Sequence, residues 1–176
     1  MKTLLMGVML FIAGATVAQD VNAKVSVTKV INVSADKVWS IVRTMDDLHL
    51  YTDIVGSVEW KGKKGTGGER VCHPPKGSGG GILNETILTF SDVNRSYSYS
   101  VAGVPTKGMV NSFRVVDLGY NKSMIVWNST YEAFVENPQM NEDQLKGFLS
   151  NTLNEILTKW RWQQQNKLVK LARIRT

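Results

Sequence analysis

The sequence has few of the residues from which disulfides, metal sites and catalytic triads are built. Cys72 is the one cysteine among 176 residues, so no internal disulfide can form and the core must stabilise the fold. The only histidines, His49 and His73, are too few to complete a zinc site with one cysteine. Nothing in the sequence positions either histidine for Ser-His-Asp chemistry. We therefore assign no catalytic residue and predict no metal site and no cofactor.

The sequence also lacks a hydrophobic run that is comfortably long enough to span a bilayer. The longest run, residues 4–12, follows the positive charge of Lys2 and precedes several small residues. This arrangement is typical of a cleaved signal peptide, which we predict over residues 1–18. Cleavage after Ala23 and an uncleaved membrane anchor are the alternatives. We expect an exported bacterial protein, periplasmic or secreted, with a single domain over residues 24–173.

Negative charge is missing from the end of the chain. Six basic residues and no acidic ones follow Glu155, whereas the preceding part of the predicted mature chain, residues 19–155, has 14 basic and 15 acidic residues. One interpretation is a solvated helix end whose cations complement the helix dipole. The other is a docking patch for an anionic membrane surface or an acidic periplasmic protein, formed by Lys167, Lys170, Arg173 and Arg175. No nucleic-acid partner is expected, because no RNA- or DNA-binding motif accompanies these charges.

The strongest pattern is an apolar stripe at steps of three and four residues between position 141 and about position 173. It predicts one long amphipathic helix, with Asn141 and Gln144 as a capping box at its start. The preceding segments alternate as strands or form two short helices, over residues 35–42 and 45–51. The predicted strands are 24–33, 55–60, a strand starting at 69–72, 82–91, 95–102, 108–118 and 122–134. We write the order as β-α-α-β-β-β-β-β-α, an α+β fold in which an antiparallel sheet folds over the terminal helix.

Alternation also predicts which strand faces look towards the helix. Tyr97 and Tyr99 share one face of their strand while serines occupy the other, and Phe113 and Trp127 take the same role in later strands. The predicted inner face is rich in Tyr, Trp, Asn and Ser, which need hydrogen-bond partners when they are buried. This composition predicts a wet cavity as much as a dry core.

Several local strings resemble the START-like superfamily, which includes the SRPBCC, polyketide cyclase/dehydrase and Bet v 1-like proteins. They are Val-Ser-Ala-Asp-Lys-Val-Trp at 33–39, Gly-Thr-Gly-Gly-Glu-Arg at 65–70, Asn-Glu-Thr at 84–86, the stretch 91–99, and Trp127. The resemblance covers residues 24–160. It implies a helix-grip fold, in which a curved antiparallel sheet wraps around the long C-terminal helix and leaves a cavity between them.

The resemblance implies that this cavity takes a hydrophobic or amphipathic small molecule. Glu85 corresponds to an inward acid that contacts the ligand's polar end in the plant abscisic-acid receptors, although Leu88 and Phe90 compete with it for the inner face. The expected cavity residues are Glu85, Ile87, Tyr97, Tyr99, Asn111, Phe113, Trp127, Ser129, Tyr131, Phe148 and Thr152.

Two classes of function follow from the resemblance. The first is a carrier or an accessory protein, for example of a periplasmic dehydrogenase such as methanol dehydrogenase. The second is a polyketide cyclase or dehydratase, with Glu85 as general base and a tyrosine or Arg70 polarising a carbonyl. The predicted export signal argues against the enzyme, because polyketide intermediates are made on cytosolic carriers.

Overall fold

A computed structural model describes the backbone of residues 22–173 and the side chains of residues 22–159. The predicted signal peptide, residues 1–18, lies outside the described residues. The four cations of the predicted docking patch lie beyond the last described side chain. Within the described part of the chain, no helix has the length and apolarity needed to cross a membrane.

The described chain consists of nine strands, two α-helices and one short 3-10 helix, Leu48–Leu50. The strands that precede the hairpin region are β1 (Val25–Ile31), β2 (Ser57–Lys61), β3 (Glu69–His73) and β4 (Leu83–Ser91), with helix α1 (Ala35–Val42) after β1. The later elements are β5 (Ser96–Ala102), β6 (Thr106–Lys107), β7 (Val110–Gly119), β8 (Lys122–Thr130), β9 (Ala133–Phe134) and α2 (Glu142–Arg173).

Seven strands form one antiparallel sheet in the order β1-β8-β7-β5-β4-β3-β2. With the long terminal helix α2, this confirms the predicted α+β helix-grip fold. The sheet has seven strands, which agrees with the seven predicted strand segments and is one more than the predicted order β-α-α-β-β-β-β-β-α counts. The predicted strand 122–134 ends early at Thr130, and β9 pairs with β6 in a small second sheet.

The inner face of the sheet and one side of α2 form the core. Tyr97, Phe113, Ile125 and Trp127 are buried there, as the alternation of their strands predicts. Helix α2 contributes Leu153, Ile156 and Leu157, with Leu145 buried about two turns further towards its start. Full burial of one such side chain contributes about 1.5–3 kcal/mol, so this stripe anchors the helix to the sheet.

The start of α2 confirms the predicted capping box. The backbone N–H of Gln144 donates to Asn141 Oδ1 at 2.9 Å, and the backbone N–H of Asn141 donates to Gln144 Oε1 at 2.8 Å. Two N–H groups at the helix end thereby find acceptors. Glu142 and Asp143 add negative charge at the positive end of the helix dipole.

The glycine-rich turn between β2 and β3 has a structural explanation. A Cβ atom at Gly68 would lie 1.8 Å from the carbonyl oxygen of Lys63, so no other residue fits. The neighbouring backbone pairs with β4, where Gly67 N–H donates to Ile87 O and Ile87 N–H donates to Gly68 O. The turn therefore serves chain packing.

Candidate ligand cavity

A small cavity of about 50 Å³ lies between the inner face of the sheet, α2 and a chain segment formed by the end of α1 and the residues after it. Eight of its fifteen lining residues come from residues 41–51, which we call the cap segment. The sheet contributes Arg70, Tyr97, Phe113, Ile125 and Trp127, and α2 contributes Ile156 and Leu157. The accessible surface inside is mostly apolar. One water occupies roughly 10–15 Å³ on this measure, so the cavity has room for only a few water molecules.

Three aromatic side chains on adjacent strands form one wall of the cavity. The rings of Tyr97 and Phe113 are stacked with their centres 5.2 Å apart. The ring of Phe113 contacts that of Trp127 edge-on, with 5.5 Å between the ring centres. Tyr97 and Phe113 are register partners on β5 and β7, and Phe113 and Trp127 are register partners on β7 and β8. Since β-strand neighbours on one face contact each other directly, the register brings the three rings together.

A buried ion pair joins the cavity wall to the sheet behind it. Arg70 and Glu85, 2% and 5% exposed, are register partners on β3 and β4, and Arg70 Nε donates to Glu85 Oε2 at 2.5 Å. Arg70 also donates from Nη1 to the carbonyl oxygen of Met45 at 2.8 Å, and its guanidinium lies 5.1 Å from the centre of the Tyr99 ring. The Cys72 thiol completes the group at 3.5 Å from Glu85 Oε2.

The protonation states of this group follow from burial and charge. Burial by itself lowers the pKa of the Arg70 guanidinium, but the carboxylate of Glu85 outweighs it, so the net pKa is raised and Arg70 stays charged. Burial raises the pKa of the Cys72 thiol and of the Tyr97 hydroxyl, each to about 12. Both are therefore neutral at physiological pH, and the thiol is unsuited to act as a nucleophile.

The cap segment is anchored to the sheet by polar contacts. The carboxylate of Asp46 accepts a hydrogen bond from Trp60 Nε1 at 2.6 Å and forms an ion pair with Lys64 Nζ at 2.7 Å. Met45, the residue whose carbonyl Arg70 binds, has a positive φ of 56°, which is uncommon for a residue with a large side chain. The predicted helix 45–51 is wrong in most of its length, because within that range only residues 48–50 are helical, as a 3-10 turn. An irregular backbone is what brings Met45, Asp46 and Leu48 to the cavity.

Of the eleven predicted cavity residues, Tyr97, Phe113 and Trp127 line the cavity. Glu85, Ile87, Tyr99, Asn111 and Ser129 are buried on the inner face but do not line it. Arg70 lines the cavity. The family resemblance implied this role for Glu85, the residue with which Arg70 is paired. Asn111 and Ser129 are hydrogen-bonded to each other, because Ser129 Oγ donates to Asn111 Oδ1 at 2.6 Å.

The three remaining predicted residues lie away from this cavity. Tyr131 is buried and donates to Glu142 Oε1 at 2.8 Å, beside a wider and more polar depression of about 540 Å³ near Lys24 and Glu132. Phe148 is 44% exposed and Thr152 is half-buried. At about 100° per residue, the side of α2 that carries Leu153, Ile156 and Leu157 leaves Phe148 on the flank of the helix.

The sequence pattern did not reveal the cap segment as part of the site. The sequence predicted two short helices there but gave no sign that they line a cavity, because the role of the segment depends on contacts with β2 and β3. The sequence did indicate Arg70, which ends the string 65–70 and is one of the residues predicted to polarise a carbonyl group. Among the described residues, no group of three or more His, Cys, Asp or Glu side chains is arranged to hold a metal ion.

Comparison with known proteins agrees with the fold. Residues 22–171 match the family described as polyketide cyclase / dehydrase and lipid transport. The protein XoxI from Bacillus cereus is similar in structure at 18% identity, with a TM-score of 0.66, over 78% of this chain and 92% of that one. An aromatase/cyclase, ZhuI, from Streptomyces sp. R1128 is similar at 13% identity, with a TM-score of 0.64, over 82% and 94%. No protein of curated function matches the sequence.

Proposed function

The chain belongs to the polyketide cyclase / dehydrase and lipid transport family, and on that premise we propose that it binds a hydrophobic or amphipathic small molecule in the cavity beneath the cap segment. The observation that carries the proposal is the lining of that cavity. Apolar and aromatic side chains make up most of the wall, and Arg70 and Trp127 are the lining residues whose side chains carry N–H groups. A mostly apolar pocket with a few fixed polar groups is typical of small-molecule sites.

Ligand entry requires the cap segment to move. Sites for drug-sized molecules typically measure about 300–1,000 Å³, whereas the cavity measures about 50 Å³. The cap segment is the wall with the least regular structure, and hydrogen bonds from Arg70, Trp60 and Lys64 hold Met45 and Asp46 in place. Its outward displacement enlarges the cavity without breaking any strand of the sheet. The proposed binding cycle is therefore opening of the cap segment, entry of the ligand and closure.

A carrier or accessory role fits these groups better than the cyclase or dehydratase alternative. In that alternative Glu85 is the general base, but its carboxylate already binds Arg70 and Cys72 and does not line the cavity. A general base must lie within hydrogen-bonding reach of the proton that it removes. Arg70 remains a suitable donor for a ligand oxygen, and binding alone needs no more than that.

Binding is tested with a variant that fills the cavity. Val42 lines it from α1, and Val42→Phe adds a ring to that wall. We expect the neutral fluorescent probe N-phenyl-1-naphthylamine to lose most of its affinity, while the variant keeps a wild-type circular dichroism spectrum. The matched control is Val93→Phe, because Val93 is 90% exposed in the β4–β5 turn. Equal probe affinity in both variants would refute the cavity as the binding site.

Native mass spectrometry complements the probe, because it detects whatever the protein carries from its own cell. We expect a non-covalent adduct in the wild type and its loss in Val42→Phe. An adduct of equal abundance in both proteins would place the ligand elsewhere on the chain.

We also propose that the protein is exported to the bacterial periplasm or secreted. The support is in the sequence, where Lys2, the apolar run 4–12 and the small residues up to Ala18 precede the domain. N-terminal sequencing of the protein from its native host is expected to find a start at Gln19 or Lys24. An intact Met1 in the membrane fraction would support the uncleaved anchor instead.

A further inference from the structure

Trp127 has a buried N–H group for which no described residue is an acceptor. The side chain is 5% exposed and lines the cavity, and its Nε1 atom has no hydrogen-bond partner within residues 22–159. The two other tryptophans with described side chains both donate, Trp39 to Asp92 Oδ1 at 2.8 Å and Trp60 to Asp46 Oδ1 at 2.6 Å. Buried donors in native proteins almost always have an acceptor. The N–H of Trp127 is therefore an exception that requires an explanation.

The position of the indole is set by its neighbours. Trp127 meets Phe113 edge-on at 5.5 Å and Tyr99 edge-on at 6.5 Å. On either side in the sheet it is paired with Val27 of β1 and Phe113 of β7. Rings packed in this way have little rotational freedom, so the N–H keeps one direction relative to the cavity wall.

The charges around the cavity favour an uncharged occupant. The charge of Arg70 is already balanced by Glu85, and Asp46 is paired with Lys64. An anionic molecule would approach past the carboxylates of Asp46 and Asp47 in the cap segment, and a cationic molecule would face the buried guanidinium of Arg70. Burying a charge without a partner is costly in either case.

The polar groups of the sheet wall are mainly donors. Trp127 offers an N–H, Arg70 is a donor without acceptor capacity, and the hydroxyl of Tyr97 is protonated at physiological pH. One backbone acceptor in the cap segment, the Met45 carbonyl, already binds Arg70. The Trp127 indole N–H only donates and a carbonyl oxygen only accepts, so the two groups match each other.

We propose that Trp127 is a specificity-determining residue whose indole N–H donates to a carbonyl oxygen of an uncharged, apolar ligand. The inference rests on the proposed function, because it requires that the cavity beneath the cap segment receives a small molecule. It adds the chemical class of the ligand and the atom that recognises it.

The test compares two probes of nearly equal shape, cyclopentanone and methylenecyclopentane, which differ in the carbonyl oxygen. Both are titrated into the wild-type protein labelled with ¹⁵N, and the indole N–H signals are followed by NMR. We expect the Trp127 signal to move downfield with the ketone but not with the alkene. We also expect the ketone to bind about tenfold more tightly, as for one buried hydrogen bond gained against a donor left unsatisfied.

Two variants assign the effect. Trp127→Phe removes the N–H, and in this variant the two probes should bind with equal affinity. Trp39→Phe is the control, because it removes an indole N–H that donates to Asp92 away from the cavity, and it should keep the tenfold preference. The wild-type titration carries the result even if Trp127→Phe does not fold.

The outcomes separate this inference from the proposed function. If both probes bind equally and the Trp127 signal stays in place, the cavity is a binding site but the inference fails, as it would if a water molecule already satisfied the N–H. If neither probe binds and neither shifts any cavity resonance, the proposed function fails and the inference fails with it.

Discussion

Arg70 and Glu85 are direct cross-strand neighbours on β3 and β4, and they form an ion pair that is almost completely buried. The pair occupies the border between the sheet and the cavity, because Arg70 reaches on to the backbone of Met45. It therefore links a charge inside the sheet to the position of the cap segment. Its energetics decide how readily that segment can move.

We expect removal of one partner to cost far more than removal of both. Glu85→Gln leaves the charge of Arg70 buried without a counter-charge, which typically destabilises a protein by about 3–5 kcal/mol. The double variant Arg70→Met with Glu85→Leu replaces the pair with apolar groups and should recover most of that loss. Urea denaturation measures the free energy of unfolding of each protein.

Glu132→Gln is the control for this prediction, because Glu132 is exposed and its neutralisation should change the free energy of unfolding little. A double variant as unstable as Glu85→Gln would mean that the pair itself, rather than the isolated charge, carries the stability.

Stability should fall in alkaline solution because of buried groups that must remain protonated. The pKa of the Cys72 thiol is raised by burial from about 9 to about 12, so the folded protein holds this proton more tightly than the unfolded chain does. The associated stability is complete below about pH 9 and is lost as the pH rises towards 12. One pKa unit corresponds to about 1.4 kcal/mol, so the loss between pH 9 and 11 is about 2 kcal/mol.

Cys72→Ser tests this contribution while it retains a donor for Glu85. We expect the free energy of unfolding of the variant to decline less steeply between pH 9 and 11 than that of the wild type. Tyr120→Phe is the control, since the Tyr120 ring is 99% exposed, and it should follow the wild-type curve. Parallel curves for Cys72→Ser and the wild type would show that the thiol is not the group responsible.

The cap segment should open more often when Asp46 loses its partners. The double variant Trp60→Phe with Lys64→Gln removes both contacts to that carboxylate. We expect the backbone amides of residues 44–51 to exchange with deuterium several-fold faster, and the fluorescent probe to associate faster, with little change in β7 and β8. Hydrogen exchange followed by mass spectrometry measures the first effect, and stopped-flow fluorescence measures the second.

Lys61→Gln neutralises another lysine close to Trp60 and serves as the control, with exchange rates expected at the wild-type level. If the double variant accelerated exchange throughout the sheet, the result would indicate global destabilisation, and the role of the cap segment as the entry route would be rejected.

The basic end of the chain should act in docking rather than in folding. We expect replacement of four cations by glutamine to weaken binding to anionic vesicles while Tm stays nearly unchanged, since exposed charges contribute under about 1 kcal/mol each. Wild-type binding should also weaken with added salt. The residues replaced are Lys167, Lys170, Arg173 and Arg175. Vesicle co-sedimentation and thermal denaturation measure the two effects.

A matched control removes the same amount of charge from the sheet domain. It replaces four exposed lysines by glutamine, namely Lys61, Lys63, Lys107 and Lys122. If both quadruple variants bind vesicles equally, the effect belongs to net charge alone. The basic end would then be a solvated helix terminus, the alternative interpretation of these residues.

The sequence alone determined the features that depend on neighbouring residues. The long helix follows from apolar residues at steps of three and four, and the capping box of Asn141 and Gln144 requires only four consecutive positions. The burial of Tyr97 and Tyr99 follows from the period of two in a β-strand. These local patterns predicted an antiparallel sheet over a long terminal helix and the inner face of that sheet, while the helix-grip fold was implied by the family resemblance.

Only the tertiary structure decided which inner-face residues meet the cavity. Glu85, on the family resemblance, and Trp127, on strand alternation, are both predicted cavity residues, but Glu85 is paired with Arg70 outside the lining whereas Trp127 lines the cavity. The cap segment is held by partners that are distant in sequence, with 25 positions between Met45 and Arg70 and 14 between Asp46 and Trp60. Hydrogen bonds between residues so far apart produce no periodic pattern in the sequence, because they depend on where the folded strands place each side chain.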